Sequence, residues 1–530
     1  MTPPLRVVLV GFGPVGVRLV EELLPAVAAG DVELTVVGAE ECEPYNRILV
    51  AEYAAGEAER DALTIADSAE LVARGVRVIR GRAALRIDRE AREVCVAAPD
   101  ERAVERIAYD RVVLATGADA IVPSLDGLES VPGGAGGQPT LTDGVCAMRT
   151  VADAERAREV IAAGGRVAVL GAGVLGIELA LLIADAGAQP RLAHFGPAPM
   201  PRQLDRGSAR VLVSRLAAAG VDVVPHTRAE AIITREVDGR RVFRALVAGD
   251  GKRIEADLLV LSCGVRPRVE LAAMAGLRTA RGVLVDDRLR SWSDPAIHAI
   301  GDVAHLADPV RYAHEREVPG GPSGLVGPGW RQAEWLAAAL AAEAAGRRSS
   351  SGSSGTAIGD AAPFADDAPG LVMLKSRHVD LVQAGRVVPD PFAPEVPGET
   401  APQVATWADP QHGTYLAMST IDGALDAFVA VGAPRAASEL AVLYQRRGEL
   451  PSDRSLLLRL DAADQPERAE GREATVCVCN AVTAGDIEDA AGAGCSTIEE
   501  IGAATRAGTG CGGCRARIGE MIAQWAGQPA

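Results

Sequence analysis

Residues 5–24 read LRVVLVGFGPVGVRLVEELL: an apolar, β-branched run, three glycines within six positions, then a stretch with helical apolar spacing. The run reads as a buried strand, the glycines as a tight turn and the remainder as a helix. Gly11 allows the turn itself, Gly13 lets the backbone approach a pyrophosphate at the helix N-terminus, and Gly16 permits close helix–sheet packing. A second strand, VELTVVGAE, ends at Glu40, 24 residues beyond Gly16, where a carboxylate can accept from ribose hydroxyls. Three glycines alone also occur in purely structural turns. The flanking strand, the helix and Glu40 together favour a bound dinucleotide.

The same grammar returns at residues 165–195, GRVAVLGAGVLGIELALLIADAGAQPRLAHF, with Gly171, Gly173 and Gly176 in the turn and Glu178 just inside the helix. Where an acid is expected to end the second strand stands His194, with Arg191 three residues earlier. An acid there favours the free 2′-hydroxyl of NAD, whereas a cationic surrounding accepts the 2′-phosphate of NADP. NADH and NADPH both stay open, and His194 packing at a strand end is an equal alternative. The first unit closes with YDRVVLATGA, which holds Thr116 and Gly117, and the second with DLLVLSCGVRP. This repetition suggests one domain inserted in another, the chain leaving near Ala118 and returning near Pro267. IHAIGDVAH then forms a strand running into Gly301 and Asp302.

The chain has 530 residues, long enough for two to four domains. Apolar residues make up 48%, rich in alanine with only 3% aromatic, which favours helix-rich α/β architecture over an all-β barrel. The 54 basic and 71 acidic residues leave a formal charge of −17, so no nucleic-acid partner is expected. An acidic surface suits a partner with a basic docking face, or solubility alone. No apolar stretch approaches the ~18 to 20 residues of a membrane span and the N-terminus does not resemble a signal peptide, so no membrane is expected and the reading is cytoplasmic.

Composition shifts to Gly and Ser over residues 346–370, read as a flexible linker. Residues 371–458 then carry strand-like pieces followed by a helical stretch, a small α+β domain, and a final unit covers 474–526. Five of the nine cysteines fall in the last 54 residues, which points to a reducing compartment. Cys477 and Cys479 form a C-x-C, and after 31 intervening residues Cys511 and Cys514 form a C-x-x-C. Four thiolates suit an iron–sulfur pair, and the same four suit a structural zinc ion, although this spacing is unusual for zinc. TAGD and STIEE nearby read as helix starts.

The two nucleotide folds, with ATGA (115–118) and IGDVA (300–304), resemble the two-dinucleotide-binding flavoprotein superfamily typified by glutathione reductase, over about residues 5–345. The resemblance implies an α/β protein with two Rossmann-like domains: an FAD-binding domain of residues 1–120 and 266–345, and an NAD(P)-binding domain of 148–265. Gly11, Gly13, Gly16, Glu40, Arg47, Thr116, Gly117 and Asp302 then serve FAD, Asp302 at the ribityl chain. Gly171, Gly173, Gly176 and His194 serve NAD(P)H, and Glu178 orients the nicotinamide for hydride transfer. GLVGPGW (324–330), leading into the helix RQAEWLAAALAAEA, aims a helix N-terminus at the flavin pyrimidine edge. The paired C-x-x-x-x-C of disulfide-reducing members is missing, and Cys42, Cys95, Cys146 and Cys263 read as packing residues. Ferredoxin- and rubredoxin-reductase relatives place a lysine five residues after the arginine of their YxR motif; here that position is Glu52.

The final unit resembles the bacterioferritin-associated-ferredoxin-like 2Fe-2S domain, which implies Cys477, Cys479, Cys511 and Cys514 as cluster ligands in a small helical domain. The module order is similar to the N-terminal part of NAD(P)H nitrite reductase large subunits and to the electron-transfer subunits of assimilatory nitrate reductases. That resemblance implies a relay from NAD(P)H through FAD and the 2Fe-2S cluster to a molybdenum-containing nitrate reductase subunit. The remaining five cysteines supply no second ligand set, so nitrite reduction by this chain alone is not expected. A homodimer stays open. A ferredoxin-type reductase serving an oxygenase or iron release from bacterioferritin, and a non-enzymatic redox sensor, are the alternatives.

Overall fold

Five of the six side chains of strand β1 (Leu5–Val10) are buried, the pattern of a central strand covered on both faces. The computed structural model describes residues 3–97, 104–131, 140–349, 362–365, 370–392, 402–448, 450–458, 461, 471–477, 480–510 and 512–526. They fall into two compact units, Met1–Phe195 with His226–Asp367, and Gly196–Pro225 with Ala368–Ala530. Among the described residues no helix is long and apolar enough to cross a membrane.

In the first unit, β1 pairs in parallel with β2 (Val32–Gly38) on one side and with Arg111–Leu114 on the other. Arg77–Arg80 extends the sheet beyond β2, and Asp294–Ala299 extends it beyond Arg111–Leu114, both in parallel. Helix α1 (Pro14–Ala28) covers this sheet with Val17, Leu19, Val20, Leu23 and Leu24. Pro14 opens it at a position whose N–H would have no intrahelical acceptor. The second fold has its own parallel strands in the order Val145–Cys146, Leu258–Leu261, Arg166–Leu170, Gln189–Ala193. The two crossing segments are themselves hydrogen-bonded, Ala118–Ala120 antiparallel to Val265–Pro267 with Ala118 opposite Pro267.

Three boundaries differ from the sequence reading. β2 stops at Gly38, so Glu40 lies two residues past the strand. The helix expected from residue 331 begins at Val326, because Pro328 falls in its first turn, where no backbone donor is needed. That helix runs to Ser349, into the segment read as linker. Within that segment Phe364 is buried against the first unit's core, its N–H donates to the Asp287 carbonyl at 2.7 Å, and its ring meets Trp335 edge-on at 6.1 Å. The Gly/Ser composition there concealed one large apolar side chain with a place to bury.

In the second unit five antiparallel strands follow the order Leu371–Lys375, Asp380–Ala384, Ala424–Val431, Thr414–Ile421, Gln403–Asp409. Helix Pro434–Arg446 buries Ala436, Ala437 and Leu440 against it. Helix Arg206–Ala218 reaches the same sheet, where the Arg215 side chain donates to the Gly413 and His412 carbonyls at 3.1 and 3.0 Å. The terminal module is a hairpin, Thr475–Cys477 with Val482–Thr483, followed by helices Ala484–Gly492, Ile498–Thr505 and Arg515–Ala526. The first two helices start at capping boxes, Thr483 with Asp486 and Thr497 with Glu500, in the TAGD and STIEE segments.

The carboxylate of Glu343 is buried, and it holds Arg111 through Nε at 3.1 Å and through Nη2 at 2.5 Å, with Arg347 at 3.3 Å. Removing one partner of a buried pair leaves the other uncompensated. Glu343→Ala should therefore lower unfolding free energy by about 3 kcal/mol, read as a shifted urea midpoint with an unchanged slope.

Candidate dinucleotide and cluster sites

The first glycine of each turn is imposed by the chain's own backbone. At Gly11, with φ +116°, a β-carbon would lie 2.1 Å from the Ala115 carbonyl oxygen. At Gly171, with φ +117°, it would lie 2.1 Å from the Ser262 carbonyl oxygen. Both sites sit where neighbouring strands converge, with Gly11 N–H on the Val37 carbonyl and Gly171 N–H on the Ala193 carbonyl, each at 2.8 Å. The third glycines are imposed by the first: β-carbons at Gly16 and Gly176 would sit 2.3 and 2.0 Å from the carbonyl oxygens of Gly11 and Gly171.

The middle glycines differ. A β-carbon at Gly13 would meet only Arg47 Nε at 3.8 Å, and one at Gly173 would meet nothing within 4 Å. Both residues have ordinary extended backbone at the N-terminus of a long helix, with no side-chain cap. Among the described residues nothing requires glycine there. Open space beside uncapped helix N–H groups is what a phosphate needs to come close.

Around the first turn the side chains carry charge. Glu40 accepts from the Tyr45 hydroxyl at 2.8 Å and pairs with Arg47. Burial pushes the Glu40 carboxyl up, but Arg47 and the Tyr45 hydroxyl outweigh it and hold it below the usual carboxylate range. Arg47 lies over the Tyr45 ring at 4.9 Å and also reaches the Arg149 carbonyl at 3.4 Å. Arg149 donates to Asp302 at 3.2 Å, while its buried Nε has no acceptor among the described residues. Burial lowers the Arg149 pKa, Asp302 opposes, and the nearby cations Arg47 and Arg268 lower it further. Arg268 is paired with Asp119 at 2.5 Å, and its backbone is tied to the exit turn, Thr116 Oγ1 donating to the Arg268 carbonyl at 3.1 Å and Arg268 N–H to Gly117 at 3.0 Å. The Gly301 N–H before Asp302 is fixed by Gln332 Oε1 at 2.7 Å.

Sequence reasoning missed Arg149 as a member of this group. Its local signal was the capping box of Thr150 with Asp153, which places Arg149 just ahead of a helix, but its pairing with Asp302 spans 153 residues. The helix Val50–Ala55, just after Arg47, packs against both Val151–Ala162 and Val174–Asp185 of the second fold, and Arg158 stacks on Tyr53 at 4.9 Å. Glu178 is half-buried on the latter helix. His194 is buried, and its backbone carbonyl accepts from Thr227 N–H at 2.8 Å. Burial pushes the Cys146 thiol up to about 12 and the Cys263 thiol up to about 11, which suits packing and not nucleophilic chemistry.

In the terminal module Cys477 and Cys514 lie in one apolar cluster with Val482, Ile487, Ile501, Ile518 and Met521. Cys514 immediately precedes helix Arg515–Ala526, and helix N-termini favour thiolates. Asn480 Nδ2 donates to the Arg506 carbonyl at 2.7 Å, closing the loop after the C-x-C against the second helix. Cys479 and Cys511 lie outside the described residues.

Two glycine turns of this form, the second in a fold that lies between segments of the first sheet, define a protein of two dinucleotide-binding-type folds. The chain belongs to the pyridine nucleotide-disulphide oxidoreductase family, which matches residues 5–321, and the BFD-like [2Fe-2S] binding domain matches residues 475–524. It is similar to the assimilatory nitrate reductase electron transfer subunit of Bacillus subtilis (strain 168), 26% identical over 98% of this chain and 59% of that one. It is also similar to the nitrite reductase [NAD(P)H] of the same organism, 28% identical over 98% of this chain and 57% of the relative. The chain thus spans less than two thirds of these relatives' length. The putidaredoxin reductase in its covalent complex with putidaredoxin shares the fold, with a TM-score of 0.66 at 22% identity over 85% of this chain and 95% of that chain.

The two family matches imply FAD, a nicotinamide dinucleotide and a 2Fe-2S cluster as cofactors. The residues fit these groups. The unpartnered Arg149 Nε and the open space at Gly13 suit the FAD pyrophosphate, and Gly173 repeats that space for NAD(P)H. The buried soft donors Cys477 and Cys514 suit iron.

The two kinds of glycine separate experimentally. Gly13→Ala should fold with a loss of no more than about 1 kcal/mol, yet bind FAD at least ten-fold more weakly, as read by flavin absorbance after gel filtration. Gly11→Ala should destabilise the flavin-free protein by more than about 2 kcal/mol in urea, because strained backbone and a carbonyl clash add.

Proposed function

We propose that this chain oxidises NAD(P)H and delivers the electrons singly, through its terminal cluster, to a separate catalytic subunit, a molybdenum-containing assimilatory nitrate reductase. The observation that carries this reading is the presence, in one polypeptide, of two dinucleotide turns with unfilled middle positions and a terminal pair of buried thiols. The similarity to the Bacillus subtilis electron transfer subunit supports the choice of acceptor. The thiol-rich terminus fits a reducing cytoplasm. A homodimer is compatible with this reading.

When bound, FAD accepts a hydride from the nicotinamide and the cluster exchanges single electrons. The chain's own residues bind and orient. Gly13 and Gly173 leave room for the two pyrophosphates beside helix N-termini. Arg47, Arg149 and Arg268 balance phosphate charge, and Asp302 and Glu40 accept from sugar hydroxyls. Thr116 and Gly117 hold the exit turn against Arg268. Glu178 orients the nicotinamide amide. Cys477, Cys479, Cys511 and Cys514 hold the iron. No side chain needs to move a proton for the hydride to pass, so alignment is the main demand.

Anaerobically purified protein should carry flavin and a 2Fe-2S cluster, and should support NAD(P)H-dependent nitrate reduction when mixed with a nitrate reductase catalytic subunit. Turnover with an oxygenase and none with nitrate reductase would overturn the choice of acceptor. Cys514→Ser should retain flavin at wild-type stoichiometry, lose the cluster's electron paramagnetic resonance signal on reduction, and slow electron delivery to the partner by at least a hundred-fold.

A further inference from the structure

The second dinucleotide turn ends in an exposed aromatic side chain. The Ala193 carbonyl accepts the Gly171 N–H at 2.8 Å, which places the end of that strand beside the glycine turn. At the next position, where a carboxylate would grip the ribose diol of NAD, His194 is buried, its carbonyl held by Thr227 at 2.8 Å. One residue further Phe195 stands 72% exposed, in a chain with only six phenylalanines. Most of this large apolar ring is unpacked among the described residues. It lies two residues beyond Ala193, whose carbonyl is bonded to the first glycine of the turn.

We propose that Phe195 is the platform on which the adenine of the nicotinamide dinucleotide stacks, and that this contact replaces the ribose–carboxylate grip, so that the site takes NADH and NADPH with similar affinity. The inference rests on the assignment of the second fold to NAD(P)H. Stacking on an aromatic face is blind to the 2′ substituent, because it reads only the base. With no carboxylate at residue 194, the phosphorylated ribose meets no repulsion and the free diol gains no special acceptor. Specificity needs a difference in affinity between the two ligands, and these two residues supply none.

The test measures binding and not turnover. Isothermal titration of the FAD-loaded protein with NAD+ and with NADP+ should give dissociation constants within ten-fold of each other. Phe195→Ala, at an exposed position that leaves the core untouched, should weaken both by about ten-fold and to a similar degree, while Phe195→Trp keeps both near wild type. His194→Asp should move the ratio at least ten-fold towards NAD+. Wild-type constants that differ by more than ten-fold, or a Phe195→Ala variant that binds both as before, would overturn the proposal. If FAD-loaded protein binds neither nucleotide, the assignment of the second fold fails as well, an outcome distinct from either of these.

Discussion

A carbonyl oxygen occupying the space of a β-carbon is the constraint on which the dinucleotide sites depend. Where parallel strands end together, the Ala115 oxygen fills that space at Gly11 and the Ser262 oxygen fills it at Gly171. Each turn must then be glycine, and its backbone takes a positive φ that a side chain would resist. The turn in turn delivers a helix whose first N–H groups point past the strand ends. The same oxygen-to-glycine contact repeats between the first and third glycines, so the helix cannot drift from the sheet. What remains free is the middle position, and in both folds it opens onto space. Backbone packing thus explains two glycines of each three and leaves the third to a ligand.

That division accounts for how much could be read in the sequence. The turns, their flanking strands, the interrupted first domain and the helix starts at Thr483 and Thr497 are local patterns in which chain neighbours determine one another. The features that escaped are contacts between residues far apart in the chain. Arg149 meets Asp302, Gln332 holds Gly301, and Phe364 buries itself from within a Gly/Ser tract. No periodicity announces them. The start of the helix at Val326 escaped for a different reason: the Gly-Pro-Gly composition of its first turn resembles a loop, and only the missing need for backbone donors there lets proline enter.

The charges around the first turn show why a cofactor site can look overcommitted without its ligand. Arg47, Arg149 and Arg268 depress or compete for one another's partners, and each has found a carboxylate: Glu40, Asp302 and Asp119. Ion pairs of this kind preserve the fold while leaving cationic capacity unspent, as the buried Arg149 Nε records. A bound diphosphate would add acceptors for it. Glu40, engaged through both oxygens with Tyr45 and Arg47, is thereby fixed in orientation before any ribose approaches.

The two chemistries make opposite demands on the protein, and the described core clusters reflect this. Hydride transfer between bound dinucleotides would need a rigid frame, and the first unit offers a large core of buried strands with helix Val50–Ala55 packed directly onto the second fold. Single-electron exchange would need soft ligands shielded from water, and the small module holds Cys477 and Cys514 in an apolar cluster, with its first two helices begun by capping boxes. Because each module carries its own core, its function is set locally. Under the proposed function, the acceptor would then depend on what the small module meets, while the glycine turns of the first unit stay as they are.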